Sequence, residues 1–147
     1  MSSFRVLVDT NVLFEGLTKQ GGACGWLVTA WLNGLYEACV SNALVHEYKD
    51  VLLRKLSPRR WQQIEPVLAA LMEVAVPINI HFLWRPSAAD PGDEHIIDAA
   101  MNAGAIVVTW NVKDFQAATK SIGLWVLTPP QLVNALVKRL DEAEINP

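Results

Sequence analysis

Three groups of polar residues fall where short apolar runs end. Asp9, Thr10 and Asn11 follow the run 4–8, and Glu47 lies one turn into the helical pattern that begins at Ser41-Asn42. Asn111 and Asp114 follow the run 105–109, which itself ends on Thr109, and Asp93 opens the helical pattern leading into that run. If the runs are strands of one parallel sheet, these carboxylates gather at one sheet edge. There they repel one another and lose hydration. A hard cation resolves both costs, and Mg²⁺ or Mn²⁺ takes oxygen ligands while keeping several waters. Such a site can hold a phosphodiester, generate hydroxide and stabilise the leaving oxygen. Nothing else in the chain pairs a nucleophile with a positioned base: there is no Gly-x-Ser-x-Gly, no phosphate-cradling glycine loop and no Cys/His pairing.

Each residue also has a plain structural reading. Asp9 and Asn11 can cap a helix, Glu47 can be a solvated helix residue, Asp93 or Asp90 can be an N-cap, and Asp114 can lie in an exposed loop. His46, His81 and His95 show no metal-ligand spacing and read as structural or surface residues.

The elements that must position the acids alternate along the chain. Strands are expected at 4–8, 36–40, 105–109 and 124–127, with a third strand or extended segment at 77–82. Helical spacing covers 12–17, 23–34 with Gly34 as C-cap, and a segment from Ser41-Asn42 through Leu52 that Pro58 stops. It resumes over 61–74, where Pro66 must sit in the first turn or split the helix. Residues 85–92 read as a loop, 93–102 as a helix capped by Gly104, and 115–120 as short helix or loop. Thr128-Pro129-Pro130 caps a last helix, and 141–147 reads as a frayed tail. The βαβ alternation predicts a three-layer α/β domain over 1–140 with a mostly parallel central sheet. In such sheets ligands bind outside the carboxyl ends of the strands.

A chain of 147 residues with 52% hydrophobic and 18% charged residues can bury one proper core and is too apolar to be disordered. The formal charge of −3 gives no support to non-specific nucleic-acid binding, nor does it exclude a nuclease whose site is acidic. Cys24 and Cys39 read as reduced thiols packed in or near the core. The apolar start at 6–8 is too short for a signal peptide, and no stretch reaches the length of a membrane span, so a cytoplasmic protein with no membrane partner is expected.

Four motifs together resemble the PIN-domain family, and within it the small prokaryotic toxins of type II toxin–antitoxin pairs. They are Val6-Leu7-Val8-Asp9-Thr10-Asn11-Val12; Ser41-Asn42-Ala43-Leu44-Val45-His46-Glu47-Tyr48 with Val51-Leu52; Asp90-Pro91-Gly92-Asp93-Glu94-His95-Ile96-Ile97-Asp98-Ala99-Ala100; and Val107-Val108-Thr109-Trp110-Asn111-Val112-Lys113-Asp114-Phe115. The resemblance implies a Mg²⁺- or Mn²⁺-dependent RNA endonuclease with Asp9, Glu47 and Asp93 as core acids. It implies that Thr10 or Asn11 orients the first carboxylate and that Thr109 helps place metal, water or phosphate. At the position two residues after the threonine, where many relatives carry an aspartate, this chain has Asn111. Asp114 is then expected to serve as the fourth acid and metal ligand, with Asp98 as an outer candidate. An antitoxin partner and a homodimer follow from the same resemblance, and six tryptophans plus the apolar helix 23–31 agree with a self-contact.

For substrate grip the candidates are the basic cluster Arg54, Lys55, Arg59 and Arg60, then Lys113, with Trp61 and Trp110 available to stack bases. The competing readings are a PIN domain that only binds RNA or protein, a haloacid-dehalogenase-like phosphotransferase, and a receiver-like module. The phosphotransferase wants a second carboxylate where Asn11 stands. The receiver likeness rests on Asp9, Thr109 and Lys113.

Overall fold

The computed structural model describes residues 4–84 and 91–145. Its sheet has five strands, all parallel: β1 Arg5–Val8, β2 Glu37–Val40, β3 Val76–Pro77, β4 Ile106–Val108 and β5 Val126–Leu127. They lie in the order β3-β2-β1-β4-β5. Seven α-helices among the described residues complete a three-layer α/β domain: α1 Thr10–Thr18, α2 Gly22–Leu32, α3 Asn42–Lys55, α4 Pro58–Val74, α5 Glu94–Ala103, α6 Gln116–Ile122 and α7 Pro129–Ile145. The expected fold class is borne out, with a wholly parallel sheet.

The apolar strand runs explain the arrangement. Val6, Leu7, Val8, Val107 and Val108 are buried, as residues of a sheet covered on both faces must be. The chain steps outward from β1 to β2 and β3, then crosses back to place β4 on the other side of β1. The strand order therefore reverses between β1 and β4, and that switch point is where an open parallel sheet leaves a crevice at its carboxyl edge. The register pairs Val8 with Val108, so the next residues, Asp9 and Thr109, emerge side by side.

Several boundaries differ from the sequence expectations, each for a local reason. Pro58 does not stop a helix but opens α4, because Ser57 caps it by accepting from the Arg60 amide at 3.2 Å. Pro66 lies inside an unbroken α4. It and Gln62, whose carbonyl loses its donor, face solvent, so water can satisfy the freed group. The third strand is only two residues long, and its pairing with β2 ends at the bond from the Ile78 amide to the Val40 carbonyl. Segment 112–122 folds as a 3-10 turn, Val112–Phe115, followed by α6. The helix α7 continues through Ile145, past the point where fraying was expected. It opens on a reciprocal cap, in which the Thr128 amide donates to Gln131 and the Gln131 amide to the Thr128 hydroxyl. Of the expected loop 85–92, positions 85–90, Asp90 among them, lie outside the described residues.

Cys24 and Cys39 are free and buried. Burial is the main cause that pushes the Cys24 thiol up to about 12, which makes it an inert core thiol. Among the described residues no helix is long and apolar enough to cross a membrane.

Candidate active site

The site grows from the end of β1. Asp9 is the N-cap of α1, its Oδ1 accepting from the Thr10 amide at 2.8 Å. A cap alone needs nothing more, yet Oδ2 accepts a second bond, from the Thr109 hydroxyl at 2.7 Å. Thr109 is fully buried and also accepts from the Asn111 amide at 3.0 Å. The Asn11 amide group reaches both Asp9 Oδ2 at 3.4 Å and Thr109 Oγ1 at 3.5 Å, while its own Oδ1 accepts from the Trp110 amide at 3.3 Å. Asp9, Asn11 and Thr109 thus form one hydrogen-bonded unit across the β1–β4 junction.

The helix α3 brings the second acid. Ser41 caps it through the Leu44 amide, and Tyr48, fully buried, donates its hydroxyl to the Val8 carbonyl. This bond ties α3 to the end of β1 one residue from Asp9. Tyr48→Phe is expected to cost about 1 kcal/mol, the worth of one buried hydrogen bond, read as a lower urea midpoint at unchanged slope. Glu47 accepts from the Thr10 hydroxyl through Oε2 and faces His95 Nε2 at 3.5 Å through Oε1. Asp93 closes the 3-10 turn Pro91–Asp93 at the start of α5, without a side-chain cap bond.

Asp9, Thr10, Asn11, Glu47, Asp93, Trp110 and Asn111 all line one open cleft of about 440 Å³. Phe14, Glu15, Thr18, Lys19, Val51 and Lys55 complete it. Helical geometry accounts for these additions. Asn11, Phe14, Glu15 and Thr18 share one face of α1, and Glu47, Val51 and Lys55 stand one turn apart on α3. That spacing was the signal by which Phe14, Glu15 and Lys19 could have been found from the sequence.

Other expected residues lie elsewhere. Asp114 sits half-buried in the turn Val112–Phe115, its amide bonded to the Asn111 carbonyl, and does not line the cleft. Asp98 is buried on α5, accepts from the Trp84 amide at 2.9 Å and does not line the cleft. Trp61 lines a separate groove with Leu68 and Met72. Arg60 donates to the Thr18 carbonyl at 2.7 Å, and Arg54 faces Asp50 at the surface, so of the basic cluster only Lys55 enters the cleft. His95, read from sequence as structural, contacts an acid of the site; its place two residues after Asp93 was the available hint.

The electrostatics are those of crowded acids. Burial chiefly raises the Asp9 carboxyl above its ordinary range; the Thr109 and Thr10 bonds oppose this, and the charge of Glu47 adds to it. Glu47 moves the other way, held down first by its contact with His95. Four carboxylates (Asp9, Glu15, Glu47, Asp93) against two ammonium groups (Lys19, Lys55) leave the ionised cleft at net −2. An all-oxygen acidic donor set of that charge fits a hard divalent cation. Among the described residues, no three His, Cys, Asp or Glu side chains stand close enough to form a ready-made cage. The fit is therefore one of donor chemistry and charge.

The family model of the PIN domain matches residues 5–113, well over half of the 147-residue chain. The chain belongs to the PIN-domain family. No curated protein sequence matches it. Among solved structures, this PIN domain is similar to VapBC2 from Rickettsia felis bound to a DNA fragment from their promoter, with 14% identity and a TM-score of 0.63 over 85% of this chain and 98% of that one. It is similar to VapBC-1 from nontypeable Haemophilus influenzae, with 16% identity and a TM-score of 0.61 over 86% and 99%. It is also similar to FitAcB from Neisseria gonorrhoeae, with 19% identity and a TM-score of 0.59 over 84% and 97%. At these identities the likeness shows a shared fold. The cleft lies within the matched PIN segment, since every residue that lines it falls between positions 9 and 111.

Proposed function

We propose that this PIN domain is a Mg²⁺- or Mn²⁺-dependent endoribonuclease that hydrolyses RNA phosphodiester bonds, acting as the toxin of a toxin–antitoxin pair. The observation that carries the reading is the meeting of Asp9, Glu47 and Asp93 in one cleft at the β1–β4 switch point, with Asp9 fixed by Thr109. Asp9 and Asp93 would hold the metal directly or through water, with Glu47 as a further ligand; Asp114 could join only by moving into the cleft. When bound, the metal supplies Lewis acidity toward the phosphoryl oxygens and a water of lowered pKa.

The chain's own residues do the rest. Thr10 and Thr109 orient the two inner carboxylates, so that their lone pairs are presented without rotamer search. Glu47, kept ionised by His95, accepts the proton of the attacking water. Asn111 offers an amide oxygen where an acid would add charge, and Lys55 and Lys19 counter the charge of the incoming backbone. Family membership and the Asn11 contacts with Asp9 and Thr109 leave the phosphotransferase and receiver readings without support.

The relatives are solved as paired complexes named VapBC2 and FitAcB, and this supports an antitoxin partner for the present chain. The proposal places the toxin in the cytoplasm and as a homodimer. Exposed apolar residues, among them Trp125 and Leu140, support a self-contact.

Cleavage of a mixed RNA pool by the purified chain tests the reading. Products should form with Mg²⁺ or Mn²⁺ and vanish with chelator. Calorimetric metal titration should show binding. Metal binding without cleavage of any RNA would instead assign a silent RNA- or protein-binding PIN domain.

A further inference from the structure

Trp110 directly follows the fully buried Thr109, yet 43% of its surface is open to solvent. A tryptophan spent at the surface forgoes the burial that usually justifies its size. Its backbone is held, since its amide donates to Asn11 Oδ1 at 3.3 Å. The residue is therefore fixed through its backbone, and its side chain lines the same cleft as Asp9 while staying exposed. Lys55 enters that cleft from α3, its ammonium 5.2 Å from the centre of the Phe14 ring, and it makes no ion pair among the described residues. Lys19, by contrast, is paired with Glu15 at 3.6 Å. An unpaired cation and an open aromatic ring flanking a carboxylate site match the two parts of a nucleotide beside a reacting phosphate: a neighbouring backbone phosphate and a base.

We propose that, in this chain, Trp110 stacks an unpaired nucleobase next to the scissile phosphate while Lys55 holds an adjacent backbone phosphate. The proposal rests on the nuclease reading above. It deepens that reading by assigning a specificity residue, because a base within a duplex is already stacked and cannot present its face to the indole. The bond from the Trp110 amide to Asn11 also links the base-carrying residue to the unit that orients Asp9.

The test uses the full chain carrying Asp9→Asn, so that RNA is bound and not cut, and a fluorescein-labelled single-stranded RNA that the parent cleaves at one site. Fluorescence anisotropy at fixed salt compares Trp110, Trp110→Phe and Trp110→Ala, each checked by thermal melting. Single-strand affinity should fall about 5- to 150-fold in Trp110→Ala, the range of one lost stacked base, and only slightly in Trp110→Phe. Duplex binding should not change. Moving one abasic nucleotide along the strand should weaken Trp110 binding at one position near the cleavage site and have no further effect there in Trp110→Ala. With the same titration repeated over a range of salt, Lys55→Gln should lower the salt slope by about 0.7, the value of one single-strand phosphate contact. If the parent cuts RNA but Trp110→Ala binds single strands within twofold of Trp110, or no abasic position couples to it, the proposal is wrong and the nuclease reading stands. The proposal is equally wrong if duplex and single strand lose affinity alike, or if only binding of a protein partner is lost. A parent that neither binds nor cuts RNA overturns both.

Discussion

Replacing Asp9 by asparagine should lower RNA cleavage by more than about 100-fold on the proposed reading of Asp9 as a metal ligand, because even outer-shell partners of such a ligand are commonly worth 10–100-fold. The same change should leave the fold intact and make it more stable at neutral pH, read as a higher melting temperature than the parent's. Asp9 is only 7% exposed, and its carboxyl is raised first by burial and further by Glu47. For an acid with a raised folded pKa, the stabilising contribution is complete below the unfolded carboxyl range. It is lost as pH rises through the folded value. Ionised Asp9 is thus a standing cost that asparagine does not carry. Asparagine still accepts from the Thr10 amide, and its NH₂ can donate to the Thr109 hydroxyl, which serves as donor or acceptor.

The stability gap between variant and parent should therefore be widest near neutral pH and close as pH falls through the raised Asp9 pKa. Glu47 shifts oppositely, so its contribution is present above the unfolded carboxyl range and lost on acidification. It cancels where the two proteins are compared at the same pH. Adding Mg²⁺ should raise the melting temperature of the parent and not of the variant, since only a ligand bound to the native state adds stability. Thermal melts from pH 4 to 8, with chelator and with Mg²⁺, provide the check. A variant that cuts at the parental rate, or melts well below the parent at neutral pH, would sink the assignment.

Asp9 also shows what a sequence can and cannot reveal. The apolar run before it and the turn chemistry after it are local facts, and they located both β1 and the residue at its end. The choice between helix cap and site residue could not be made locally; the structure shows that Asp9 caps α1, accepts from Thr109 and lines the cleft. What distinguishes it from an ordinary cap is Thr109, one hundred positions away, and only the β1–β4 register brings them together. The alternation of strands and helices was legible because hydrophobic period is a local signal. The strand order, which creates the switch point, is not local. Asp114 does not line the cleft for a related reason: its motif is readable, but a 3-10 turn places the Asn111 end of that motif at the cleft. The position of His95 depends on how α5 packs beside α3, which no spacing within either helix encodes.

A single methyl group at Gly16 should disable the site without touching it. A Cβ there would lie 2.5 Å from the Val28 side chain and 2.6 Å from the Cys24 carbonyl oxygen. Val28 can shift, but Cys24 O is backbone, so α1 and α2 must move apart. Alanine gains about 1 kcal/mol over glycine in helix propensity, whereas overpacking a tight contact costs about 1–3 kcal/mol or more. Backbone opposition at this distance places the cost at the upper end, so Gly16→Ala should lose about 1–2 kcal/mol net. Gly25→Ala in α2 is the control, since a Cβ there meets nothing nearer than the Lys19 carbonyl at 3.8 Å. It gains the same propensity without the clash and should be neutral or stabilising. Activity should separate the two variants further. The N-terminus of α1 carries Thr10 against Glu47 and Asn11 against Thr109, so a displaced α1 loosens both acids. Misplacement by about 1 Å can cost ~100-fold in rate, so Gly16→Ala should lose cleavage even at temperatures where it is fully folded. Urea titrations and cleavage assays on the two alanine variants decide the matter. If Gly16→Ala is as stable and active as Gly25→Ala, the α1–α2 contact does not set the geometry of Asp9.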